Sequence, residues 1–124
     1  MVYTSISLAL ASIEYFVHLD PGDAPDDLVS ISATLTADIA LERIEIDGLP
    51  ADWRAVDHPH LQQLGADWIR SQRSVAWQVP SVAVEGEWNV LLNPAHRDFA
   101  NITVDAPKAF RFDHRMFKVI SGAQ

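Results

Sequence analysis

The chain has 124 residues, 48% hydrophobic and 21% charged, the balance of a single globular domain with enough apolar mass for a core. Its net charge is −8 and no two Lys or Arg residues are adjacent; a phosphate backbone needs clustered cations to displace its counterions, so direct nucleic-acid binding is not expected. The absence of cysteine excludes disulfides, thiolate nucleophiles, Cys-ligated zinc and iron–sulfur clusters, and a cytoplasmic location is expected.

Val2 to Thr4 reads as the end of a strand, with Ser5 as the N-cap of a helix from about Ile6 to Leu19. This apolar run has no basic residues before it, carries Glu14, and ends in Tyr15-Phe16-Val17-His18. Those features argue against a signal peptide. The run is also shorter than the roughly 18 residues a membrane span needs. A core helix buried near the N-terminus is the expectation.

At roughly 100° per residue, Ser7, Ala11, Glu14 and His18 fall on one narrow stripe of that helix. Ile6, Leu8, Leu10, Ile13, Phe16, Val17 and Leu19 fill the rest. A helix apolar nearly all round is sandwiched in an interior, so its polar stripe must meet solvent, a partner or a cleft. A carboxylate in a cleft suits a reaction in which positive charge develops beside it, such as breakage of a glycosidic bond through an oxocarbenium-like state.

The acidic stretch DPGDAPDD is a turn-rich loop. LVSISATLT and ALERIEIDGLP alternate as strands with one buried face. HPHLQQLGADWIRSQ reads as a second helix, with Leu61, Leu64, Trp68 and Ile69 toward one side. Three short strands follow, in VAWQVP, SVAVEGEW and NVLLNP. HRDFANI is a turn or short helix, and ITVDAPKAFRFDHRMFKVI supplies one or two last strands. The order of elements gives an α+β fold with mostly antiparallel sheet and a single domain over 1–124.

Ser81, in Pro80-Ser81, lacks a Gly-x-Ser-x-Gly elbow and is a poor nucleophile. Asn93-Pro94-Ala95-His96 reads as a turn, with His96 structural. His58-Pro59-His60 has no third ligand at a recognisable spacing, so no metal site is expected. No glycine-rich phosphate loop or HExxH motif occurs.

Together, VYTSISLALASIEYFVHLD, VPSVAVEGEWNVLLNPAHRDF and FRFDHRMF resemble the RES domain family, the toxin halves of bacterial toxin–antitoxin pairs. The resemblance follows a Val-Tyr-Thr-Ser strand, an Ala-Leu-Ala-x-x-Glu helix, a Pro-Ser strand and Asn-x-Leu-Leu-Asn-Pro-x-His. Residues 20–75 match least specifically. Arg97 stands where the family prefers Pro, and Met116 where it prefers Leu.

The resemblance implies an ADP-ribosyltransferase-like fold and an enzyme that degrades NAD by hydrolysis or phosphorolysis of the nicotinamide–ribose bond. NAD would be the substrate, phosphate a co-substrate, and no resident cofactor is implied. Glu14 would stabilise the developing cation, Tyr3 would line the nicotinamide or ribose pocket, and Ser81 would contact the substrate. A cognate antitoxin is the implied partner, with a homo-oligomer as another option. Family members also carry a Gly-Gly-Arg-Trp-Asn segment upstream of the Val-Tyr-Thr-Ser strand, whose arginine suits the NAD phosphates. The sequence begins after that point, so a chain truncated relative to the family is expected. Transfer of ADP-ribose to a protein, or an inactive remnant that only binds its antitoxin, are the alternatives.

Overall fold

Alternating polar and apolar residues build a central four-stranded sheet, in the order β1 (Val2–Ser5), β6 (Trp88–Leu92), β5 (Ala76–Pro80), β4 (Leu41–Arg43). The first two pairings are antiparallel and β5–β4 is parallel. Two short antiparallel ladders flank the sheet: β2 (Val29–Ser30) with β8 (Lys108–Ala109), and β3 (Ala33–Thr34) with β7 (Thr103–Val104). The computed structural model describes residues 1–20, 25–55 and 58–117. The fold is α+β with mostly antiparallel sheet, as the order of elements implies. The centre of the acidic loop and the last residues of the C-terminal stretch lie outside the described residues. No described helix is long and apolar enough to cross a membrane.

Strand alternation sends Tyr3, Ser5, Trp77, Val79, Asn89 and Leu91 to one face of the sheet. Helix α2 (Pro59–Ser71) covers part of that face, placing Trp68 against Trp77 and Leu91. The indoles of Trp68 and Trp77 stack at 5.5 Å between centroids. A Cβ added to Gly65 there would make ordinary van der Waals contact with Met1 Cε, 3.7 Å away. The opposite face carries a second core of Ile39, Val75, Ala76, Leu92 and Ile102.

Helix α1 spans Leu8–Phe16, shorter than the 6–19 expected, and its cap is Ser7, whose hydroxyl accepts the Leu10 N–H. Ser5 is the last residue of β1 instead. The helix is not buried: Leu10 is its one buried residue, while Leu8 and Tyr15 are exposed. An apolar circumference predicts a sandwich only when a second layer is present. Among the described residues, α1 has the sheet on one side and an aromatic cluster at its C-terminal end. There Phe112 packs between Tyr15, Phe16, Phe110 and Phe117.

The two alternating segments before α2 are mostly irregular: LVSISATLT forms two two-residue strands, and ALERIEIDGLP forms β4 followed by a 3-10 turn at Ile46–Gly48. The stretch SVAVEGEW is not a strand. Residues 81–87 close the β5–β6 hairpin, with Ser81 N–H donating to the Glu87 carbonyl at 2.8 Å. Gly86 sits at φ +86, the left-handed region that glycine enters without a Cβ clash. HRDFANI forms a 3-10 turn, Arg97–Asn101.

Candidate active site

The polar stripe of α1 does not act as one unit. Ser7 is consumed as the cap and His18 is exposed beyond the helix end. Glu14 alone turns toward the sheet, half-buried, where the β5–β6 hairpin meets β1. Its Oε1 accepts two hydrogen bonds, from Ser81 Oγ at 2.5 Å and from Asn89 Nδ2 at 3.0 Å.

Both donors are buried, Ser81 at 1% exposure and Asn89 at 8%. A carboxylate held by fixed, buried donors is a preorganised negative charge, available to a cation that forms beside it. Ser81 Oγ also accepts the Val84 N–H at 3.0 Å, so its own hydrogen is directed to Glu14. One step further, Ser5 Oγ donates to Asn89 Oδ1 at 2.8 Å. Thr4, on the other face of β1, donates to the Val90 carbonyl at 2.6 Å and ties the edge strand down.

The structure therefore joins two of the three residues expected at the site, Glu14 and Ser81. The Tyr3 side chain makes no hydrogen bond among the described residues and is 73% exposed. It lies opposite Leu91, on the same sheet face as Ser5 and Asn89 and two residues along β1, about 7 Å away at ordinary strand rise. Ser5 and Asn89 were not anticipated. A signal existed for Asn89: it alternates with Leu91 and so falls on an inward position, where a polar residue needs a partner.

Two histidines, His58 and His96, serve the fold. His96 is buried and its Nδ1 accepts the Asp98 N–H, so the ring's hydrogen sits on Nε2 and reaches the Gln72 carbonyl at 3.0 Å. His58 caps α2 through Nδ1, and its Nε2 bonds Asp52 at 2.8 Å, which holds the Asp52 carboxyl below its usual range. Asn93 supports the turn after β6 by accepting the Ala95 N–H.

The RES domain family model matches residues 1–114, a span that contains Glu14, Ser81 and Asn89. The chain belongs to the RES domain family. Its RES domain is 38% identical over 102 residues to a protein of Photorhabdus laumondii named "Toxin Res", covering 79% of this chain and 63% of that one. A Sphingobium protein named "Prs ADP-ribosylating toxin" is 35% identical over 95% of this chain and 75% of its own length. A second "Toxin Res", from Yersinia enterocolitica, is 28% identical over 93% of this chain and 76% of its own. The chain thus spans 63% to 76% of the length of these three relatives, less than two thirds of the first.

Proposed function

We propose that this RES domain acts on NAD as the toxin of a toxin–antitoxin pair, breaking the nicotinamide–ribose bond. The observation that carries the reading is the Glu14 carboxylate on α1, fixed by Ser81 and Asn89 where the helix meets the sheet. In the reaction the bond between ribose C1′ and the nicotinamide nitrogen breaks and its electron pair leaves with nicotinamide. The ribose is left oxocarbenium-like, and Glu14 stabilises that charge. Water then gives ADP-ribose and a proton; phosphate gives the 1-phosphate of ADP-ribose.

A second reading is favoured by the Sphingobium relative's name: a protein side chain intercepts the same cation, and the product is an ADP-ribosylated protein. Tyr3 lines the nicotinamide or ribose side in either case, and Ser81, its hydroxyl committed to Glu14 and to the Val84 N–H, acts by holding the carboxylate. The exposed Tyr3 on β1 and Ile6, Leu8 and Tyr15 in and just before α1 support a protein partner on this side, an antitoxin or a second copy of the chain.

The test is incubation of the purified chain with NAD, with and without phosphate, and mass analysis of the small-molecule products. Glu14→Gln is the control. Nicotinamide release that is lost in Glu14→Gln supports the reading. Equal turnover by both proteins removes Glu14 from the mechanism, and NAD left intact by the unaltered chain overturns the assignment. Phosphate-dependent formation of the 1-phosphate selects phosphorolysis, and a mass gain on added protein selects transfer.

A further inference from the structure

We infer that Asn89, oriented by Ser5, is a positioning residue that clamps one oxygen of Glu14 and so presents the other to the substrate. The inference rests on the proposed action of Glu14 and adds what aims it.

The two carboxylate oxygens are not equivalent. Oε1 takes both hydrogen bonds, while Oε2 takes none among the described residues. A carboxylate bonded through one oxygen to two donors from different directions has lost its rotation about the last side-chain bond. Its second oxygen then points along one direction, and that is the oxygen available to a forming cation.

The orientation of the Asn89 amide is set by its neighbours. If the amide were turned over, its carbonyl oxygen would face the Glu14 carboxylate, acceptor against acceptor. With Nδ2 toward Glu14, Oδ1 faces Ser5, whose hydroxyl supplies the hydrogen at 2.8 Å. The chain of donors therefore runs Ser5 to Asn89 to Glu14, from β1 through β6 to α1. The first and last residues lie only nine positions apart in sequence, but the link between them passes through a strand 75 residues beyond Glu14. Asn89 is 8% exposed with its amide oxygen and one amide N–H engaged, which suits holding Glu14 rather than meeting the substrate.

The test uses the full chain with Ser5→Ala, Ser5→Thr, Asn89→Ala and the parent. NAD turnover is resolved into kcat and KM, with a thermal melt for each protein. Asn89→Ala should lower kcat roughly ten- to hundredfold with KM nearly unchanged, since it removes a hydrogen bond to a charged group. Ser5→Ala should lower kcat by less, and Ser5→Thr should restore it, because the hydroxyl is what orients the amide. A rise in KM at constant kcat would make Asn89 a substrate contact and overturn the inference, as would wild-type kcat in Asn89→Ala.

The side-chain amide resonances of Asn89 give an independent reading. They should shift in Glu14→Gln and in Ser5→Ala, and unmoved resonances would remove the clamp. If NAD is left intact by the parent while these resonances respond, the clamp stands and the NAD assignment fails.

Discussion

Ser81 donates its hydroxyl hydrogen to Glu14 Oε1 at 2.5 Å, although the two residues are 67 positions apart. This bond fastens the first helix to the hairpin turn that follows β5, and it makes Ser81 part of the apparatus that holds the carboxylate. On the proposed action of Glu14, Ser81→Ala should cut NAD turnover by roughly tenfold or more, because a bond to a charged group is lost. It also orphans the Val84 N–H, so the melting temperature should fall as well. Ser81→Thr keeps the hydroxyl but adds a methyl at a site only 1% exposed. It should retain more activity than Ser81→Ala while losing about 1–3 kcal/mol of stability to overpacking. Activity in Ser81→Ala equal to the parent would show that Glu14 needs no help from this donor.

Tyr3 offers a ring at the edge of the site and no structural bond through its hydroxyl. If Tyr3 lines the NAD pocket as proposed, Tyr3→Phe should leave KM for NAD close to the parent, whereas Tyr3→Ala should raise it several-fold. Neither should alter stability by more than about 0.5 kcal/mol, the usual range for an exposed position. A large loss in Tyr3→Phe would instead assign the phenol hydroxyl a role in binding.

How far the sequence carried the reading depends on what each residue's partner is. Helix α2 was legible because His58-Pro59 marks its start and its apolar residues repeat with helical period. Glu14 was legible as an anomaly, a single carboxylate on an apolar helix. Ser5 and Asn89 were not, because a serine ending a strand and an asparagine inside one acquire meaning only when β1 and β6 pair in register, Ser5 against Asn89. The exposure of α1 was misread for the related reason that periodicity reports which residues are apolar, not how many layers cover them. The alternation in SVAVEGEW lost to turn chemistry: Ser81 and Gly86 bend the chain back before a strand can form.

The Trp68 indole N–H donates to Ser74 Oγ at 2.9 Å, and Ser74 in turn donates to the Ala76 carbonyl at 2.9 Å. Both residues are buried. Ser74→Ala leaves the indole N–H without its partner and should destabilise the fold by about 1–3 kcal/mol. Trp68→Ala opens a cavity beside Trp77 and Leu91 and should cost about 3–5 kcal/mol. Trp68→Phe at constant Ser74 discards the donor but keeps much of the volume, so it should fall between the two. Urea unfolding followed by the remaining tryptophans measures all three, and Ser74→Ala at parental stability would show that the N–H finds another acceptor.

Helix α2 ends at Gln72, which adopts φ 55 and ψ 22, the left-handed conformation that costs a residue with a Cβ about 1 kcal/mol or more. The conformation is held from outside, since His96 Nε2 donates to the Gln72 carbonyl. Gln72→Gly relieves the backbone strain and keeps the carbonyl. It loses only the side chain's 3.3 Å bond to the Ile69 carbonyl, and part of the gain is offset by the greater freedom of glycine in the unfolded chain. The net expectation is a gain of about 0.5 kcal/mol, a rise of roughly 2 °C in Tm for a domain of this size. His96→Ala removes the buried donor and should destabilise by about 1–3 kcal/mol. If the strain at Gln72 exists to meet His96, glycine should bring a smaller benefit in the His96→Ala background, because without His96 the backbone at Gln72 is free to relax. A purely additive pair, within about 0.5 kcal/mol, would show the two sites to be energetically independent.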